Sequence, residues 1–123
     1  MNTMKPLISA LLILSAVPLS AANQILDADG GDWNDAGNWS TAVPTSADVA
    51  IINNNNTATL NTVAVDVGTI RMVNNANNAT FTMSAGGSLN VSTIFQMGAG
   101  GTGTATTNIN GGTFSFANSS LGA

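Results

Sequence analysis

"FTMSAGGSLNV", residues 81–91, decides the fold. Phe81 and Met83 flank Thr82, a glycine pair follows at Gly86 and Gly87, and alternation resumes with Leu89 and Val91 on either side of Asn90. Period-2 alternation sends every second side chain to one face of a strand. Glycine reaches backbone angles that let the chain bend sharply between two such strands. The same arrangement recurs in "VDVGTIRM" at 65–72 and "TNINGGTFSF" at 107–116, and the three copies align on Gly68, Gly87 and Gly112 at spacings of 19 and 25 residues. Two further markers agree: "MGA" at 97–99 returns as "LGA" at 121–123, and an Ala-Thr step recurs at 58, 79 and 105.

Short strands joined by corners at this period predict an all-β, right-handed β-helix-like solenoid of about three coils. The alternation assigns Val65, Val67, Ile70, Met72, Phe81, Met83, Leu89, Val91, Phe95, Met97, Ile109, Phe114 and Phe116 to one interior. Asp66, Arg71, Thr82, Asn90, Gln96 and Ser115 then face water. The runs "NNNN" at 53–56 and "NNANN" at 74–78 fall between coils. Asn tolerates left-handed backbone angles and can stack into ladders, so these runs read as corners; a low-complexity loop is the plainer alternative.

Upstream of the repeats the chain changes character twice. Residues 1–22 carry a single cation, Lys5, then an apolar run from Leu7 to Val17 and the small residues Ser20 and Ala22. This is the pattern of a secretory signal peptide, and the run is too short to span a bilayer. The expected mature chain begins at Asn23 and does not insert in a membrane; an uncleaved N-terminal anchor is the alternative, since Pro18 and Leu19 interrupt the boundary. Residues 23–47 hold both tryptophans of the chain and four of its six acidic residues. A solenoid exposes apolar side chains and strand edges at its first coil, so this segment is expected to act as an N-terminal cap. Trp33 and Trp39 would plug the interior near Val49–Ile52, with nearby Asp and Asn accepting from the indole N–H groups. The repeats proper are assigned to residues 48–123.

Composition excludes more than it selects. Beyond the signal segment one cation, Arg71, stands against six aspartates, so no basic surface exists to neutralise phosphates and nucleic acid is not an expected partner. The chain has no cysteine, so its stability must come from packing and backbone hydrogen bonds. It also lacks His, Tyr and Glu. General acid–base chemistry would rest on Asp alone, and no catalytic, cofactor-binding or metal-ligating residue is assigned.

Three stretches carry a sharper reading that fails on its details. "DADGGDWND" gathers Asp27, Asp29, Asp32 and Asp35, but Gly31, Asp32 and Asn38 stand where an EF-hand calcium loop needs an oxygen ligand, glycine and a bidentate glutamate. Asp66 and Arg71 read as an exposed ion pair across the Gly68 corner. "GAGGTGTA" at 98–105 lacks the Lys-Ser/Thr and the helix of a phosphate-binding loop, and reads as a turn.

"WNDAGNWSTAVPTSADVAI", residues 33–51, resembles the module that opens many exported bacterial β-helix proteins, namely those with autotransporter-associated β-strand repeats and the repeat proteins bearing PEP-CTERM sorting signals. Trp33, Asn38, Trp39, Pro44, Asp48 and Val49 carry the match. The Gly-rich "GGSLNVSTIFQMGAGGTGTATTNINGGTFSF" is similar to their repeats. The resemblance implies a secreted or cell-surface segment with a structural or adhesive role, such as an adhesin or matrix component, and no catalysis of its own. The other reading is the non-catalytic front of an extracellular carbohydrate-active β-helix enzyme. Outward Thr, Ser and Asn offer a flank to a polysaccharide or cell-surface polymer. The repeats are expected to be truncated at their C-terminal end, leaving an open coil through which chains self-associate.

Overall fold

A computed structural model of the chain describes residues 20–61, 64–72, 77–98 and 102–122. Residues 1–19, which hold most of the expected signal segment, most of "NNANN" and part of "GAGGTGTA" lie outside the described residues. Ten strands follow one another: β1 (Asn23–Ile25), β2 (Gly31–Asp32), β3 (Val49–Ile52), β4 (Thr57–Leu60), β5 (Ala64–Met72), β6 (Ala79–Met83), β7 (Ser88–Met97), β8 (Ala105–Ile109), β9 (Thr113–Phe116) and β10 (Ser119–Leu121). A single 3-10 turn at Ala36–Asn38 is the only helical element among the described residues. No helix there is long and apolar enough to cross a membrane.

Every strand pairs in parallel with the strand one turn away in sequence. One sheet runs β1-β3-β5-β7-β10, with β9 also on β7, and a second runs β2-β4-β6-β8. The long strands β5 and β7 each serve two faces. Residues 64–67 of β5 pair with 88–91 of β7, which pair with β9, whereas residues 69–72 pair with β3 and with 94–97 of β7. The register shifts between Val67 and Thr69, and there the chain turns. The result is a three-sided parallel β-solenoid of about four turns, one for each strand of the second sheet.

Because the parity slips at Gly68, Val65 and Val67 point inward on one side of it and Ile70 and Met72 on the other, all buried. Phe81, Met83, Leu89, Val91 and Phe95 join them as expected. Full burial of such side chains is worth about 1.5–3 kcal/mol each, so the interior column can hold the fold without a disulfide.

The structure corrects the expected layout in four places. First, β1 and β2 pair with β3 and β4, so residues 23–47 contain a turn of the solenoid and the ladder does not wait for residue 48. Second, Gly68 and Gly87 mark different corners. Gly87 and Gly112 do stack, the Thr113 N–H donating to the Gly87 carbonyl at 3.0 Å, but Gly68 lies where β5 bends. A three-sided coil repeats the same short pattern at more than one corner, so alignment on glycine alone cannot tell which corner is which. Met97 and Leu121 do pair, as do Ala79 and Ala105, whereas Ala58 sits opposite Phe81. Third, Ile109 and Phe116, expected inside, are 43% and 45% exposed, because β8 and β9 lie at the last described turn with one neighbour each. Fourth, Asp66 and Arg71 are not partners. Asp66 accepts from Asn90 at 3.1 Å and Arg71 donates to Gln96 at 3.1 Å, each bond running up the stack to the next turn.

The asparagine corners are ordered by backbone geometry and by stacking. Asn54 and Asn55 have φ of 57° and 65°, inside the left-handed region. The Asn55 side-chain oxygen accepts from the Asn78 N–H at 2.9 Å, and the Asn78 side-chain oxygen accepts from the Thr104 N–H at 2.9 Å. Three successive turns are thereby joined at one corner.

Candidate functional site

The tryptophan segment is the most elaborated part of the chain, and its loops are held by their own side chains. Asp35 accepts from the Gly37 N–H at 2.9 Å, Asp32 from the Asn34 N–H at 2.9 Å, and Asp29 from the Thr57 N–H at 3.2 Å. Asn38 donates its side-chain amide to the Asp32 carbonyl at 3.1 Å, and Gln24, 4% exposed, accepts from the Ala42 N–H. Short polar side chains satisfying backbone N–H groups are what such irregular turns require. These aspartates are dispersed as caps, and no group of three ionisable ligands converges among the described residues.

Trp33 and Trp39 are both buried, at 0% and 4% exposure. Their rings meet edge to face at 5.0 Å between centroids. The Trp39 indole N–H donates to the Trp33 carbonyl at 2.8 Å, and Trp39 forms an isolated antiparallel bridge with Leu26. The expected Asp or Asn acceptors are not used. The Trp33 indole nitrogen is buried without a partner, because its ring points down the apolar axis while the aspartates turn outward to cap loops.

Down that axis Trp33 meets Phe81 at 5.9 Å in a T-shaped contact. Ala58, paired between Gly31 and Phe81, is small enough to let the two rings approach. Phe81 meets Phe114, which meets Phe95 and Phe116 in turn. All six aromatic residues of the chain therefore form one connected column from the first turn to the last. Sequence spacing gives no sign of it, because the rings come from different faces.

Asp48, in sequence one residue of the module at 33–51, joins several segments of the fold. It is 8% exposed. One carboxylate oxygen accepts from the Ala22 N–H at 3.1 Å, the other from the Thr45 N–H at 2.9 Å and the Thr45 hydroxyl at 2.7 Å. The Asp48 carbonyl accepts from Thr69, so the residue ties the segment before β1, the loop before β3 and the bend of β5 into one knot. Buried Pro44 fixes the chain just ahead of it. The Thr45 hydroxyl above all, with the two backbone donors, holds the Asp48 carboxyl below its ordinary 3.8 despite the opposing effect of burial.

A carboxyl whose folded value is depressed adds stability above its unfolded value and loses it as pH falls through the folded one. The chain is therefore expected to weaken as pH drops below about 4, and Asp48→Asn to flatten that part of the profile. Urea midpoints taken between neutral and acid pH check this; an unchanged slope in the variant would remove Asp48 as the cause.

Among the described residues, no comparable cluster lies on the outward faces. In the second sheet Thr57, Thr80 and Thr106 stand in register, as do Asp32, Thr59, Thr82 and Asn108. Comparison with family models, curated proteins and solved structures finds no match to this chain.

Proposed function

We propose that the chain is an exported structural or adhesive segment, secreted or held at the cell surface, which recognises through an extended flank and performs no chemistry of its own. The supporting observation is the division between inside and outside. The aromatic rings are gathered into an axial column, the aspartates of the first turn cap backbone groups, and polar side chains repeat from turn to turn on the second sheet. Such ranks, about 4.8 Å apart between strands, suit an extended polysaccharide or cell-surface polymer better than a small molecule. On this reading the chain is akin to the exported bacterial repeat proteins that its first module resembles, residues 1–22 are a signal peptide, and the tryptophan segment shields the first turn. The coils wind right-handed, the sense that nearly all crossovers between parallel strands adopt.

Expression of the full chain in a Gram-negative host, followed by fractionation, tests the location. Recovery from the medium or from the protease-accessible surface is expected, and retention in the cytoplasm overturns the reading. The recovered protein is then spun with insoluble cellulose or chitin. Pelleting that falls several-fold in a Thr59→Lys, Thr82→Lys variant supports flank recognition, whereas a folded chain that never pellets leaves only the structural role.

The last described turn supplies a second surface. Ile109, Phe116 and Leu121 are 43%, 45% and 76% exposed beside strand edges with unpaired backbone groups. Edges of this kind recruit further strands. Light scattering of the exported chain should report assemblies larger than a monomer that shrink in a Phe116→Ser, Leu121→Ser variant. A monodisperse monomer of the unaltered chain would exclude association through this end.

A further inference from the structure

We propose that the leader is cut one residue before the site that Ser20 and Ala22 suggest, so that Ala22 is left as the first residue and its new α-ammonium is held by the carboxylate of Asp48. The inference rests on the export reading above and adds to it the site where the processed end is received. Asp48 is the one acidic residue among the described residues that is buried, yet its three donors, from Ala22 and Thr45, are all neutral. Arg71, the only cation among the described residues, bonds instead to Gln96. Three neutral donors already favour the ionised carboxylate, and a charged donor in place of one of them would make a shorter and stronger bond.

The Ala22 nitrogen already lies 3.1 Å from the Asp48 oxygen. Its carbonyl accepts from the Val49 N–H at 2.9 Å, so the backbone ladder begins at Ala22. A cut after Ala22 discards both bonds, whereas a cut after Ala21 keeps both and turns the first into a charge-assisted pair. In that step a leader peptidase adds water across the Ala21–Ala22 amide. Ala21 departs with the carboxylate, and the Ala22 nitrogen takes up protons to become the ammonium. Asp48 would then hold as a charged pair an end that the precursor offers it only as a neutral amide, so that processing strengthens a bond already in place.

The test uses the full chain exported with its own leader. Peptide mapping should find Ala22 first. Acylation of the α-amine by acetic anhydride at pH about 8, near its ordinary pKa, should run about tenfold slower in the native protein than in urea. Asp48→Asn should abolish that protection. Should that variant fail to fold, a serine inserted between Ala21 and Ala22 keeps the Ala22 N–H as an amide, moves the amine away from Asp48 and should restore the unfolded labelling rate. A chain beginning at Asn23, or native labelling as fast as unfolded, overturns the pairing and leaves the export reading intact. Recovery of only the unprocessed chain from Met1 overturns both.

Discussion

Replacing Trp33 with alanine is expected to destabilise the chain by about 3–5 kcal/mol, the cost of emptying a large buried aromatic site. The ring is 0% exposed and is the second member of the aromatic column, touching Trp39 on one side and Phe81 on the other. A domain of ordinary stability has about 5–15 kcal/mol in hand, so the loss would consume much of it. Trp33→Phe separates packing from hydrogen bonding. It keeps an aromatic edge for both neighbours and deletes the indole N–H that has no partner, a buried donor whose isolation costs about 1–3 kcal/mol. The Phe variant should therefore lie well above the Ala variant in urea midpoint. Equal losses in the two would mean that the contacts with Trp39 and Phe81 contribute little, and an unchanged Ala variant would place Trp33 outside the core altogether.

The solenoid itself was legible because its cause is local. Alternation in "VDVGTIRM" and "FTMSAGGSLNV" fixes which side chains face inward, and the parity slip at Gly68 announces a bend. What stayed hidden depends on residues far apart in sequence. The Gly68 bend and the Gly87 corner look alike as sequence, and only the pairing of Val67 with Val91 separates them. The column from Trp39 to Phe116 is assembled from several turns and more than one face, and no period in the sequence encodes it. Asp48 looks like any aspartate ahead of a strand until Ala22, Thr45 and Gly68 are brought around it, the last so closely that a Cβ there would lie 2.7 Å from the Asp48 carbonyl oxygen. Short-range pattern thus specifies the coil, while the loops that close its first turn are specified by hydrogen bonds between segments 26 to 30 residues apart.

The stacked glycine corner should be the least tolerant position of the repeats. Gly112 has φ of +83°, and a Cβ built on it would collide with the carbonyl oxygen of Gly87, the glycine at the same corner one turn before. That carbonyl cannot withdraw freely, because it accepts from the Thr113 N–H at 3.0 Å in the ladder that starts β9. Gly112→Ala therefore meets two penalties at once, an unfavourable left-handed backbone and an overpacked contact against backbone, and is expected to cost about 2–5 kcal/mol. Gly86 supplies the control. Its φ is +94°, yet nothing lies within 4 Å of a Cβ placed there, so Gly86→Ala should incur only the backbone strain, about 1–2 kcal/mol. Urea unfolding of the two variants beside the parent checks the order. If they unfold together, the corner relaxes around the added methyl and the close stacking of Gly87 on Gly112 is not what fixes the register of β7 and β9. A clear gap would show that the register there is set by the absence of a side chain, since only glycine lets the two turns approach this closely.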